Sequence, residues 1–247
     1  MDAYTSFASC YDLYMDNVPY DQWTDNVLSL LEKHGCPNTL MCELGCGTGQ
    51  MTRRLFDKGY DLIGIDMSYE MLAEAMSSSD PGILYLCQDM REFELYGTVG
   101  SVVSLCDSVN YLTSFEDLVT TFSLVNNYLD PAGLFIFDVN TVFKYETILG
   151  DNTFAENREE GSFIWENEYD SEARDNFYYL TLYMENEEGS FDRFEEQHQQ
   201  HAFTLEEIKA ALEKAGLSFV DVIDVDTMEG ITETTERMYI VARECMK

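Results

Sequence analysis

The densest chemical information in the chain is the string Glu43-Leu44-Gly45-Cys46-Gly47-Thr48-Gly49. Glycine is needed where backbone takes a positive φ or lies directly against a ligand. Gly45, Gly47 and Gly49 alternate here, just after an apolar run that ends at Glu43, and a helical pattern over 50–58 follows, closed by Gly59. Strand, tight turn, helix is an order that lets a small molecule touch main chain at the carboxyl end of a strand. A dinucleotide site wants a small residue three places after the second glycine. That place holds Gln50, and the third glycine arrives one residue early. Glu43 is also a poor neighbour for a pyrophosphate, because like charges repel in a low-dielectric site. It suits a cation. Further acids close later apolar runs: Asp66 after 62–65, Asp89 after 83–87, and Asp107 after 101–105. A carboxylate in the place of Asp66 can accept both hydroxyls of a ribose.

The full string with its acid resembles the first motif of class I S-adenosylmethionine-dependent methyltransferases, whose donor carries an ammonium and a sulfonium. The resemblance implies S-adenosyl-L-methionine as cofactor, held by Glu43, Gly45, Cys46, Gly47 and Gly49. Asp66 then takes the ribose and Met67 packs on the adenine. Gln88 and Asp89 follow the third strand, Asp89 accepting from the exocyclic amine, and Met90 touches the ring. Cys106 and Asp107 fall in the fourth motif, which lines the methionine end and faces the acceptor. Phe7-Ala8-Ser9-Cys10-Tyr11-Asp12 is similar to the Phe-Ala-x-x-Tyr-Asp opening of many small bacterial methyltransferases, which places Tyr11 near the cofactor.

These residues need a frame. Five strand patterns alternate with helices over short connections, which argues for a parallel, doubly wound sheet. Ser68 and Ser114 are the expected N-caps of two of the helices. Residues 151–202 break the alternation with three strand patterns, 163–169, 176–185 and 191–201, close enough to pair antiparallel. Thr204 and Glu207 form a capping box before a helix over 205–214, and strands over 219–225 and 237–242 finish as a hairpin. The expected fold is α/β: a doubly wound, mostly parallel, seven-stranded Rossmann-like sheet with a small antiparallel β insertion after strand five. Residues 1–150 carry a helical cover and the cofactor-binding core. Residues 151–202 form the insertion, read as acceptor pocket or lid, or else as a structural flap or dimer surface; 203–247 complete the core. Tyr4, Phe7, Tyr11 and Tyr14 mark one helix face, packed on the sheet or covering the cofactor mouth.

Charge narrows the partners. Fourteen Lys and Arg stand against 47 Asp and Glu, a net charge of −33. Such a surface repels phosphates, so nucleic acid and anionic membranes are poor partners. Seven cysteines, an odd number without a C-x-x-C pair, suggest reduced thiols in a cytoplasmic protein. The first residues carry no signal-peptide pattern, and no apolar run approaches the roughly 18 residues of a membrane span.

Methyl transfer from a sulfonium is an in-line displacement with an activated donor. The protein mainly aligns the partners, worth up to about 7–11 kcal/mol. A base is needed only for an acceptor that loses a proton, and Tyr11, Asp107 and His198 are candidates. For His198 the competing reading is an exposed strand histidine. Period two places Glu196, His198 and Gln200 on one strand face and Gln197, Gln199 and His201 on the other. His198 and His201 therefore make a poor metal pair, and no metal is expected. Asp107-Ser108-Val109-Asn110 lacks the prolines of nucleobase and glutamine amino-methylating enzymes, and the only Cys-Pro, Cys36-Pro37, precedes the first strand. A small-molecule acceptor remains, cationic or amine-bearing, met by Asp107, Asn110, Asn140, Trp165 and His198. The alternatives are a nicotinamide-dependent oxidoreductase and a non-catalytic S-adenosylmethionine-binding protein. Monomer and homodimer both stay open.

Overall fold

The computed structural model describes residues 8–36, 38–78, 81–186, 188–245 and 247. Tyr4, Phe7 and Pro37 lie outside the described residues. A short helix α1 (Ala8–Tyr14) precedes α2 (Tyr20–His34), which ends where Gly35 turns left-handed at φ +75. The chain then alternates β1 (Leu40–Leu44), α3 (Gln50–Asp57), β2 (Asp61–Asp66), α4 (Tyr69–Ser77), β3 (Leu84–Cys87), β4 (Val99–Ser104), α5 (Phe115–Tyr128) and β5 (Leu129–Asn140). Ser68 and Ser114 cap α4 and α5 through Met71 and Asp117 N–H groups, as their positions require. The last segment supplies α6 (Leu205–Lys214), with the expected Thr204–Glu207 capping box, then β10 (Leu217–Asp224) and β11 (Arg237–Glu244).

The seven-stranded sheet runs β10-β11-β5-β4-β1-β2-β3. Only β11 is antiparallel to its neighbours. Alternation along each strand sorts the core into two layers. Cys42, Val102, Phe135, Phe137 and Ile240 pack under α5 and α6. Met41, Val103, Leu134, Ile136 and Val241 pack under α2 and α3, where Val27, Leu30, Leu31, Met51 and Leu55 close the layer. Strand order reverses between β1 and β4, the switch point where open α/β sheets bind ligands.

β5 is longer than the apolar pattern 134–137 indicates. Its first half carries a register irregularity against β4, and Ala132 sits at φ +63. The insertion holds four strands rather than three, in the order β6 (Thr153–Asn157), β7 (Gly161–Asp170), β8 (Asp175–Glu185) and β9 (Phe191–His201). The additional strand β6 is almost wholly exposed, so it lacks the alternation by which a half-buried strand is recognised.

Two sets of bonds tie α1 and the insertion to the core. Asp12 accepts from the Thr48 hydroxyl and the Gln50 amide, each at 2.7 Å, so α1 is latched to the glycine turn. Arg158 of the insertion donates to the Leu13 carbonyl and pairs with Asp16 at 2.8 Å. Of the two N-terminal readings, α2 packs on the sheet, while α1 bridges the turn and the insertion.

Candidate functional site

Parallel pairing brings the carboxyl ends of β1 to β5 to one edge, and the glycine turn opens there. Its three glycines serve different ends. All have positive φ: +69, +53 and +76 at Gly45, Gly47 and Gly49. A Cβ on Gly45 would lie 2.5 Å from the Ser108 hydroxyl, and one on Gly49 would lie 2.5 Å from the Tyr85 hydroxyl. Those two are small because protein packs against them. A Cβ on Gly47 would meet nothing within 4 Å. It would project into open space, as a backbone cradle for a ligand requires.

The turn forms one wall of a cavity of about 300 Å³, lined also by Tyr11, Glu43, Cys46, Asp66, Met67, Gln88, Asp89, Met90 and Cys106. Of the residues expected to hold a cofactor, Gly49 alone stands off this wall. Asp66 accepts from Gly47 N–H and Ser68 N–H, both at 2.8 Å. Each carboxylate oxygen has a second acceptor site, so it can still take a hydroxyl. Burial raises its pKa, opposed by those backbone bonds. Glu43 is buried, receives the Thr52 hydroxyl, and is pushed up to about 8, chiefly by burial. Asp89 is gripped by Arg91 (2.5 Å), whose hydrogen bonds hold its carboxyl below the usual range. Gln88 is locked to Glu94 N–H at 2.7 Å. Met67 lies at the rim, 66% exposed. The residues fit S-adenosylmethionine: a bare backbone cradle at Gly47, a carboxylate pair at the ends of β1 and β2, and apolar walls from Met71, Met90 and Leu112.

Tyr11 and Cys106 also line a second cavity, of about 500 Å³, between the sheet edge, α1 and the insertion. Cys106 and Asp107 sit left-handed at φ +59 and +53, uncommon for residues with a Cβ. A buried charge cluster holds them. Arg237 donates to Asp107 at 2.5 Å and to Asp138, and lies 5.0 Å over the Trp23 ring. Burial works against the Arg237 charge, but the two carboxylates outweigh it and raise its pKa. Burial also raises Asp138, despite Arg237. Gln200 occupies the other Asp107 oxygen at 2.7 Å. Asp107 thus holds one bond on each oxygen, which anchors this loop and leaves each oxygen a second acceptor site.

The other expected residues divide. Trp165, His198 and Asn140 line the second cavity. His198 is only 3% exposed, which overturns the exposed-strand reading. The face shared by Glu196, His198 and Gln200 is the buried one; His201 lies on the other face and pairs with Asp175 at 2.7 Å. Asn110 lines neither cavity. It is fully buried, and its amide clasps Asn140 N–H (2.9 Å) and the His201 carbonyl (2.8 Å), tying β5 to the end of β9. The Asn140 Oδ1 and the Trp165 Nε1 are buried with no hydrogen-bond partner.

Arg237, Tyr111, Tyr178, Glu196, Gln200 and Lys144 were not read as site residues from the sequence, though Glu196 and Gln200 were placed on the His198 face; all but Tyr111 and Glu196 line the second cavity. Burial lowers the pKa of Lys144. Arg237 had one available signal: it opens an antiparallel last strand, so it returns to the edge where Asp138 and Asp107 end theirs. Of the cysteines, Cys42 and Cys46 are buried but Cys87 and Cys245 are exposed, so burial is not general among the thiols. Among the described residues no helix is long and apolar enough to cross a membrane.

Comparison with known proteins agrees with this geometry. Residues 41–133 match the family described as Methyltransferase domain. The chain is 38% identical to "Putative methyltransferase YqeM" of Bacillus subtilis (strain 168) over 245 residues, 98% of this chain and 97% of that one. Its fold matches an S-adenosylmethionine-dependent methyltransferase from Clostridium acetobutylicum ATCC 824 with TM-score 0.86 at 28% identity, covering 99% and 100% of the two chains. It also matches S-adenosylmethionine-bound CalS10, an amino pentose methyltransferase from Micromonospora echinaspora, with TM-score 0.75 at 18% identity over 99% and 98%, a likeness of fold. A full-length relative, the family match and a fold shared over the whole chain leave one conclusion: the chain belongs to the class I S-adenosylmethionine-dependent methyltransferases.

Proposed function

We propose that this enzyme methylates a small, polar, amine-bearing molecule seated in the second cavity. The observation that carries this reading is the lining of that cavity, where carboxylates and aromatic rings meet. About 500 Å³ suits a small molecule. Asp107, Glu156, Asp226 and Glu236 line it against Lys144 and Arg237, so carboxylates outnumber cations, and Tyr14, Trp23, Phe163 and Trp165 supply aromatic walls. Both features favour an amine. The solved relative that acts on an amino pentose supports the same class.

S-adenosylmethionine supplies an electrophilic methyl on sulfur. The chain's part is to hold two molecules across the Tyr11–Cys106 boundary, exclude water and take up a proton. His198 is the candidate proton acceptor that the geometry favours, since its ring nitrogens bond to Tyr111 and Glu196 at the edge of this cavity, whereas Asp107 is tied to the Arg237 cation. The net charge of −33 argues against a nucleic-acid acceptor, and the odd cysteine count supports a cytoplasmic setting. Membership of the family sets the nicotinamide reading aside.

The test is transfer of labelled methyl from S-adenosylmethionine to a panel of amino sugars, amino acids and polyamines, beside protein and RNA fractions. Label in one or more small amines supports the reading. Label confined to the macromolecules overturns it.

A further inference from the structure

The second cavity has a hydrogen-bonded chain behind it that no part of the cofactor site requires. His198 Nε2 lies 3.2 Å from a Glu196 carboxylate oxygen, and both residues are buried. Its Nδ1 lies 3.2 Å from the Tyr111 hydroxyl, which bonds in turn to the Tyr178 hydroxyl. The Tyr178 ring stacks on the imidazole at 4.6 Å and 13°, and Tyr111 meets it edge-on at 5.9 Å. Three elements supply the chain: β9 gives Glu196 and His198, β8 gives Tyr178, and the 3-10 turn after β4, Ser108–Tyr111, gives Tyr111. Tyr178 and His198 line the second cavity and Tyr111 lines the first, so the chain spans the wall between them.

We propose that Tyr178, Tyr111, His198 and Glu196 form a proton relay that drains the acceptor during methyl transfer, with Tyr178 as the catalytic residue that meets it. The proposal rests on the small-amine reading above. Its direction follows from hydrogen-bond chemistry. In the relay Glu196 is the ionised end and can only accept, so Nε2 carries the imidazole proton and Nδ1 takes up the next one. Nδ1 then accepts from Tyr111, whose oxygen accepts from Tyr178. Every donor points from the cavity toward Glu196. Among the described residues, Glu196 on its own strand, Tyr178 from the neighbouring strand and Tyr111 from the turn face His198.

The balance is simple. The amine lone pair forms the new N–C bond as the C–S bond of the donor breaks, its electron pair staying on sulfur. The nitrogen is left with a positive charge and a surplus proton. That proton goes to Tyr178 Oη as the Tyr178 proton passes to Tyr111 and the Tyr111 proton to His198 Nδ1. The positive charge that entered on sulfur ends as an imidazolium beside Glu196. His198 and Glu196 are positioning residues, because they act through the tyrosines.

With an amine that the panel identifies, Tyr178→Phe keeps the stacked ring and should lower kcat by about 10²–10⁴-fold, with KM little changed. Glu196→Gln removes the charge beside the imidazolium, so the acid limb of the kcat profile should move to lower pH. A merely structural role would change KM or stability and leave that limb in place. Independently of any acceptor, ¹⁵N-histidine NMR of the full chain with S-adenosylhomocysteine should show His198 protonated on Nε2, and Glu196→Gln should mix the tautomers. A proton on Nδ1 in the wild type overturns the relay. So does an undiminished kcat in Tyr178→Phe, or a loss of kcat in Lys144→Met alone. If no amine is methylated, the acceptor reading fails and the NMR result alone decides the relay.

Discussion

The two cavities share a wall but are built in opposite ways. The first draws on consecutive strand ends between residues 43 and 112, each close in sequence to the next, with α1 as its cover. The second gathers Tyr11, Asp107, Asn140, Trp165, Tyr178, His198 and Arg237 from segments that span most of the chain. The first offers a ligand bare main chain at Gly47 and carboxylates already held by the protein. The second is held together by a buried ion cluster and carries unpartnered polar atoms. On the proposed reading, cofactor recognition is a local property of this protein and acceptor recognition a global one.

Arg237→Met attacks the global half. It leaves the buried Asp138 and the half-buried Asp107 without their cation, and should lower unfolding free energy in urea by about 3–5 kcal/mol. Cofactor affinity should change little, so an equal loss in both measurements would break the contrast. Gly47→Val attacks the local half. Its side chain enters the open space of the first cavity, and calorimetry should show S-adenosylmethionine binding weakened by about 3 kcal/mol or more, roughly 100-fold. The strain of φ +53 should cost only about 1–2 kcal/mol of stability. Asp66→Asn sharpens the picture further: losing charge-assisted bonds should weaken binding by about 1.5–3 kcal/mol, with the Gly47 and Ser68 N–H groups still served by the amide oxygen in part.

Glu43 gives the smallest signal and a sign. With its pKa near 8, it is mostly protonated at pH 7, and a bound cation favours the carboxylate. Binding should therefore release a fraction of a proton, seen by calorimetry in buffers of different ionisation enthalpy, and Glu43→Gln should abolish it. The same shift acts on folding. The folded state holds the proton between the ordinary value of 4.5 and about 8 while the unfolded state has lost it. Stability from this group therefore falls as pH rises through that window, and Glu43→Gln should flatten the decline.

The contrast also explains what could be read in advance. Strand ends in a parallel sheet lie on one edge whatever the loops do, so Glu43, Asp66, Asp89 and Asp107 could be placed together from their positions after apolar runs. The caps at Ser68, Ser114 and Thr204 were equally legible, because a cap needs only its own first turn. Gly45, Gly47 and Gly49 were legible as a turn, but not as one ligand cradle and two packing contacts. That distinction needs Ser108 and Tyr85, which are remote in sequence.

The amino-acid order by itself determined the local half of this protein: the doubly wound sheet with its closing hairpin, the glycine turn and the acids that follow the strands. Only the folded chain decided the rest. It made His198 a buried member of a chain with Glu196, Tyr111 and Tyr178, engaged Asp107 through Arg237 and Gln200, and retired Asn110 to a clasp. The reason is physical. Periodicity reports which face of an element is apolar, whereas the partner of a buried polar group depends on which distant element arrives opposite it, and no local pattern encodes that meeting.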